Sequence, residues 1–122
     1  MPDSSTILLV DDEDAVQKLL AYPLERDGFR VVQARDGEEA LARFAQERVD
    51  LVVLDLMLPK RTGFDVLAEL RQMPAPRPSV LVLSARGREE DVTRAFALGA
   101  DDYMIKPFSP QELIARLGRL LR

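Results

Sequence analysis

Cysteine, histidine and tryptophan are all missing from the 122 residues. Without thiolates or imidazoles the chain has no disulfide framework, no cysteine nucleophile, no structural zinc site and no histidine base. Whatever chemistry occurs runs on carboxylates, hydroxyls and lysine. A basic surplus is lacking too. Lys and Arg total 17 against 21 Asp and Glu, a net charge of −4, which is the wrong sign for a surface that tracks nucleic-acid phosphates. Direct nucleic-acid contact is therefore assigned to another segment or chain. No apolar run approaches the roughly 18 residues of a membrane span, and Met1 to Thr6 lacks the basic-then-apolar order of a leader. The expectation is a cytoplasmic protein without membrane contact.

What is present is ordinary globular composition, 47% hydrophobic and 31% charged, in a length suited to one core. One domain spanning residues 1–122 is the expected organisation, with no repeat or low-complexity tract. Thr6 to Val10 reads TILLV, an apolar run without polar alternation, as a strand buried on both faces requires. Arg30 to Ala34, Asp50 to Leu56, Ser79 to Ala85 and Asp102 to Lys106 repeat the signature. Helical patterns lie between and after them: Asp14 to Arg26, Gly37 to Glu47, Gly63 to Gln72, Arg88 to Leu98 and Ser109 to Leu121.

Punctuation supports these boundaries. Acidic residues from Asp36 to Glu39 open one helix, where the macrodipole favours them. Gly28 and Gly99 follow helices, where a left-handed cap suits glycine. Ser109-Pro110 supplies an N-cap and a proline at the first helical position. Met73 to Pro78 reads as a helix-stopping loop. Leu113, Leu117, Leu120 and Leu121 recur at helical spacing as core contacts. Arg86 to Asp91 reads as a solvated loop and helix start.

Strict β-α alternation implies an α/β fold: a five-stranded parallel sheet with five helices on both faces. The order 2-1-3-4-5 is taken over from doubly wound, flavodoxin-like sheets of this size. Ligands of such sheets bind beyond the carboxyl ends of the strands, where the strand order reverses. Those ends carry Asp11 and Asp12, Asp55, Ser84 and Lys106. Each alone has a bland reading as a turn residue, cap, satisfied hydroxyl or solvated charge. Their joint occurrence at four strand ends argues for a site.

Two carboxylates about 5 Å apart at an effective dielectric near 20 repel by roughly 3 kcal/mol. A hard divalent cation offsets this, and Mg²⁺ is the expected cofactor, with Mn²⁺ as the substitute. A carboxylate can also attack a phosphoryl group, in transfers that rely on positioning and charge neutralisation. The expected roles are Asp55 as a surface phosphoacceptor, Asp11 and Asp12 as metal ligands, Ser84 as donor to a phosphoryl oxygen, and Lys106 as counter-ion.

VDD at Val10 to Asp12, LDLMLP at Leu54 to Pro59, LSA at Leu83 to Ala85 and KPF at Lys106 to Phe108 together resemble the response-regulator receiver domain of two-component signalling. The resemblance covers nearly the whole chain. It implies Mg²⁺-dependent transfer from a sensor histidine kinase to Asp55, with the Met57 backbone carbonyl completing the metal site and a cis bond before Pro107. The chain would then be a phosphoacceptor switch that assists its own phosphorylation and dephosphorylation, not an enzyme acting on other substrates. Ser84 and Tyr103 would shift on phosphorylation, coupling the site to the face of helix four, strand five and helix five. GADDY at Gly99 to Tyr103, followed by KPFSPQEL, is similar to the OmpR/PhoB-type subclass attached to winged-helix transcription factors. That likeness implies homodimerisation on phosphorylation through Asp101, Asp102, Glu112 and Arg116, although Val92 and Gly118 stand where the subclass usually carries basic residues. It also implies control of transcription through an output domain in cis or a protein partner, with this chain the N-terminal part of a longer protein.

Two other readings compete. A metal-dependent phosphatase with an aspartyl-phosphate intermediate needs an acid two residues after its nucleophile, and Met57 occupies that position. A phosphate-independent binding module would not need the full set of Asp11, Asp12, Asp55, Ser84 and Lys106.

Overall fold

The computed structural model describes residues 5–74 and 76–121. Met1 to Ser4, Ala75 of the proline-rich loop and Arg122 lie outside the described residues. The elements alternate as β1 (Thr6–Val10), α1 (Asp14–Arg26), β2 (Arg30–Ala34), α2 (Gly37–Gln46), β3 (Leu51–Leu54), α3 (Gly63–Gln72), β4 (Ser79–Ser84), α4 (Glu89–Ala97), β5 (Asp102–Ile105) and α5 (Pro110–Leu120). All strand pairs are parallel, and the sheet order is β2-β1-β3-β4-β5, the expected one.

The period-2 alternation of each strand sorts its side chains onto two cores. Leu8, Val10, Val52, Leu54, Val80 and Val82 face Ala40 of α2, Phe64, Leu67 and Leu70 of α3, and Ala95 of α4. Ile7, Leu9, Leu51, Val53, Leu81 and Leu83 face Val16, Leu20 and Leu24 of α1 and Leu113 and Leu117 of α5. Burial on both faces explains why these strands read as continuous apolar runs. Leu120 and Leu121 pack partly buried beside the second core.

Several expected elements lose terminal residues, for local reasons. β3 is shorter at both ends than the Asp50 to Leu56 run. Asp50 turns its carboxylate to the Thr6 amide at 2.8 Å, and beyond Leu54 the chain folds into a loop closed by Gly63 N–H donating to the Leu56 carbonyl at 3.0 Å. Ala85 and Lys106 likewise fall just outside β4 and β5. Arg88, Leu98, Ser109 and Leu121, expected within helices, are their capping residues, and Glu47 caps α2. Gly28 and Gly99 have φ of 98° and 111°, the left-handed caps expected of them.

Candidate functional site

Strand register builds the site. Val10 pairs with Leu54, so the residues that follow, Asp11 and Asp55, leave the sheet side by side. The Asp55 amide donates to the Val10 carbonyl at 3.0 Å, and the Lys106 amide to the Ser84 carbonyl at 2.9 Å. These bonds bring the ends of β1, β3, β4 and β5 to one spot where the order reverses between β1 and β3. A carboxylate oxygen from each of Asp11, Asp12 and Asp55 lies within 4.8 Å of the others.

Asp55 departs from its expected position at the surface. Its exposure is 3%, and Asp11 and Ser84 are at 1% and 0%. The cause is the lysine stretched across the cluster, together with the loop that folds back after Leu54. Lys106 Nζ lies 2.9 Å from Asp11 Oδ2, 3.0 Å from Asp55 Oδ2 and 2.6 Å from Glu13 Oε1. Burial alone would lower the lysine pKa, but bonds to Glu13, Asp11 and Asp55 override it and hold the ammonium charged well above its ordinary range. Burial pushes the Asp11 carboxyl up, with Asp55 adding repulsion, against the pull of the Glu13 amide and Lys106.

Asp11 Oδ1 accepts from the Glu13 amide at 2.9 Å. Oδ2 is ion-paired with the Lys106 ammonium at 2.9 Å and meets no other donor. A buried carboxylate oxygen so placed suits a hard cation. Asp12, by contrast, is exposed. The Met57 amide donates to Asp55 Oδ1 at 3.0 Å, while the Met57 side chain stands half exposed with its sulfur 2.8 Å from Arg86 Nε. The Lys106-Pro107 bond is cis.

From Ser84 a short chain of contacts leads away from the carboxylates. Its hydroxyl accepts from the Arg86 amide at 3.2 Å, and the buried Tyr103 donates its own hydroxyl to the Arg86 carbonyl at 2.6 Å. Asp91, expected in a solvated stretch, is instead buried, with Arg86 and Arg88 drawn to its carboxylate. On the outer side of β5, Arg116 donates to Asp102 Oδ1 at 3.0 Å and Glu112 Oε2 at 2.8 Å. Asp101 does not join them. Its carboxylate accepts from the Val80 amide at 2.8 Å, tying β5 to the start of β4. Val92 is partly buried against the core, and Gly118 has open space where a side chain would begin.

Glu13 and Gln17 escaped the sequence reading. Glu13 had a signal in the acidic run Asp11-Asp12-Glu13. Gln17 sits three and seven residues before Leu20 and Leu24 on the inward face of α1 and is 1% exposed. A polar side chain inside an apolar stripe was the signal there. A cavity of about 330 Å³ opens beside the carboxylates, walled by Leu56, Leu58, Pro59 and Phe64 with Asp12, Met57 and Arg86 among its lining. A larger one of about 420 Å³, lined by Arg71, Arg77 and Asp101, lies at the other end of the sheet and lacks the convergent carboxylates.

The family pattern described as the response regulator receiver domain matches residues 7–118. The chain belongs to that family. This receiver domain is 51% identical over 116 residues to the alkaline phosphatase synthesis transcriptional regulatory protein PhoP of Bacillus subtilis, covering 95% of the chain and 48% of that protein. It is 47% identical to the transcriptional regulatory protein CpxR of Escherichia coli K12, covering 95% and 49%. The receiver domain thus spans about half the length of the curated relatives it matches. Among solved structures it resembles the chemotaxis response regulator CheY4 of Vibrio cholerae, with a TM-score of 0.90 at 30% identity over 97% of this chain and 99% of that one. The receiver domain of the Francisella response regulator 1452 gives 0.90 at 32% over 97% of each. The likeness to transcriptional regulators agrees with the subclass expected from Gly99 to Tyr103. No helix among the described residues is long and apolar enough to cross a membrane.

Proposed function

We propose that Asp55 accepts a phosphoryl group from the phosphohistidine of a sensor kinase, and that this switches the α4-β5-α5 face. The observation that carries the reading is Lys106 Nζ bonded at once to Asp11 and Asp55 at the end of the β1-β3 pair. In the step itself an Asp55 carboxylate oxygen forms a bond to phosphorus. The phosphorus–nitrogen bond of the donor breaks, and its electron pair returns to the imidazole nitrogen.

Asp11, Asp12, Asp55 and the Met57 carbonyl are the residues to hold a divalent ion, Mg²⁺ first and Mn²⁺ as the substitute. When bound, the ion neutralises phosphoryl oxygens and offsets repulsion among the carboxylates. Lys106 then pairs with a phosphoryl oxygen, and the Ser84 hydroxyl donates to another. Drawing Ser84 toward the phosphate pulls on the Arg86 segment to which Tyr103 is bonded, giving a contiguous route to β5. The same groups would assist hydrolysis of the acyl phosphate, so the domain is a self-assisting switch rather than an enzyme with turnover on other substrates.

The 48–49% coverage of relatives named as transcriptional regulatory proteins supports a domain of a longer transcription regulator; in this proposal residues 1–122 are its N-terminal part and the protein is cytoplasmic. Its partners are the kinase and an output domain in cis or a protein partner, without direct nucleic-acid or membrane contact by this domain. The ion-paired set Asp102, Glu112 and Arg116 is the candidate surface for homodimerisation on phosphorylation, with Asp101 at its margin. Acetyl phosphate with Mg²⁺ tests the reading. Intact mass should rise by one phosphoryl group, and should not rise when Mg²⁺ is chelated before addition, with sedimentation reading any dimer formed. Incorporation that persists in Asp55→Ala would sink the assignment.

A further inference from the structure

We infer that Gln17 is a positioning residue for the divalent-metal site, setting the plane of the peptide that joins Asp11 to Asp12. The inference rests on the proposed metal role of that pair. Gln17 is 1% exposed on the inner face of α1. Its Nε2 lies 2.9 Å from the Ala34 carbonyl, 3.0 Å from the Asp11 carbonyl and 3.2 Å from the Leu9 carbonyl. Three acceptors around one end of an amide can be met only by its NH₂, which fixes the side-chain orientation. One residue of α1 thereby clips together the last residue of β2, the penultimate strand residue of β1 and the first residue of the metal-bearing turn.

The effect on Asp11 is specific. Its amide donates to Ala34 at 3.1 Å, its Oδ1 accepts from Glu13, and its carbonyl accepts from Gln17. Oδ2 alone is left to face Lys106 and the neighbouring carboxylates. The Asp11 carbonyl belongs to the same peptide plane as the Asp12 amide, so holding that carbonyl also sets the direction in which Asp12 leaves the turn. Outer groups of this kind orient metal ligands without touching the ion, and their loss typically weakens metal binding by 10–100-fold. A hydrophobic residue at position 17 would suit the surrounding Leu20 and Leu24 better and would leave the Asp11 carbonyl buried without its donor.

The test is a Mg²⁺ titration of the phosphoryl-free protein, by calorimetry or by amide chemical shifts. Gln17→Met keeps the length and removes the donors, while Leu24→Val weakens packing on the same helix face without reaching the turn. Expected is a dissociation constant raised about tenfold in Gln17→Met and unchanged in Leu24→Val. An unchanged constant in Gln17→Met, or equal weakening in both, overturns the inference. Wild-type protein that binds no Mg²⁺ instead defeats the metal-site reading beneath it. Should Gln17→Met not fold, the wild-type Gln17 side-chain amide decides. Its protons must exchange slowly and shift with the same constant as Asp12, and an amide that exchanges freely and ignores the ion refutes the assignment.

Discussion

Tyr103 turns its hydroxyl inward onto the Arg86 carbonyl at 2.6 Å. Burial first, and the nearby Asp91 carboxylate second, push its phenol pKa above the ordinary 10.0. A raised folded value means that the native state holds this proton more tightly than the unfolded chain. The contribution is complete below the unfolded pKa and is lost as pH rises through the folded one. Tyr103→Phe should therefore cost about 1 kcal/mol at neutral pH, from the Arg86 carbonyl left without its donor. Urea midpoints measured from pH 7 to pH 11 should show the gap between the two proteins closing on the alkaline side. A gap that stays constant would mean that the hydroxyl does not titrate with folding.

Single elements are held by equally local devices. Asp36 caps α2 by accepting from the Glu39 amide at 2.8 Å, and that bond holds its carboxyl below the ordinary range. Because the folded value is depressed, the stabilisation is present above the unfolded pKa near 3.8 and is lost as pH falls through the folded one. Asp36→Ala should lower stability by about 1 kcal/mol at pH 7, with the difference shrinking in acid, as read from urea melts at both pH values. Gly63 opens α3 directly against the backbone of Asp55 and Leu56. A Cβ there would stand 2.3 Å from the Asp55 carbonyl oxygen and 2.6 Å from Leu56 Cα, both backbone atoms that cannot swing aside. Gly63→Ala should destabilise by roughly 1–3 kcal/mol, as overpacking does, and should also slow phosphoryl incorporation. Thermal melts and the acetyl phosphate assay separate the two effects.

At the scale of the whole molecule, the carboxylates that a metal would bridge come from two different strands, so ion binding is linked to the integrity of the fold. Mg²⁺ at ten times its dissociation constant should add about 1.4 kcal/mol to unfolding free energy. The shift should appear as a higher melting temperature in wild type and be much reduced in Asp12→Asn. An equal shift in both would place the ion elsewhere. The two cores divide the helices into α1 with α5 and α2 with α3 and α4. The Ser84-Arg86-Tyr103 contacts run from the end of β4 to Tyr103 of β5, which belongs to the core of α2, α3 and α4.

Much of this was legible from residues alone. Five apolar runs between helical patterns specify a parallel sheet, because burial on both faces removes the polar alternation that a half-exposed strand would show. Asp11, Asp12, Asp55, Ser84 and Lys106 could be named because each stands at the end of such a run, where the fold class places its ligands. Other features depended on partners distant in sequence. Whether Asp55 is exposed turned on Lys106, 51 residues away, reaching across it. The role of Glu13 turned on that same lysine, 93 residues distant. Asp101 and Asp102 look equivalent in the chain, but successive side chains at a strand's start point in opposite senses, sending one to the Val80 amide and the other to Arg116. The inward amide of Gln17 acquired its meaning only when β1 and β2 brought three carbonyls to meet it. Periodicity is a local property and survives in one dimension, whereas burial and hydrogen-bond partnership are decided by packing in three.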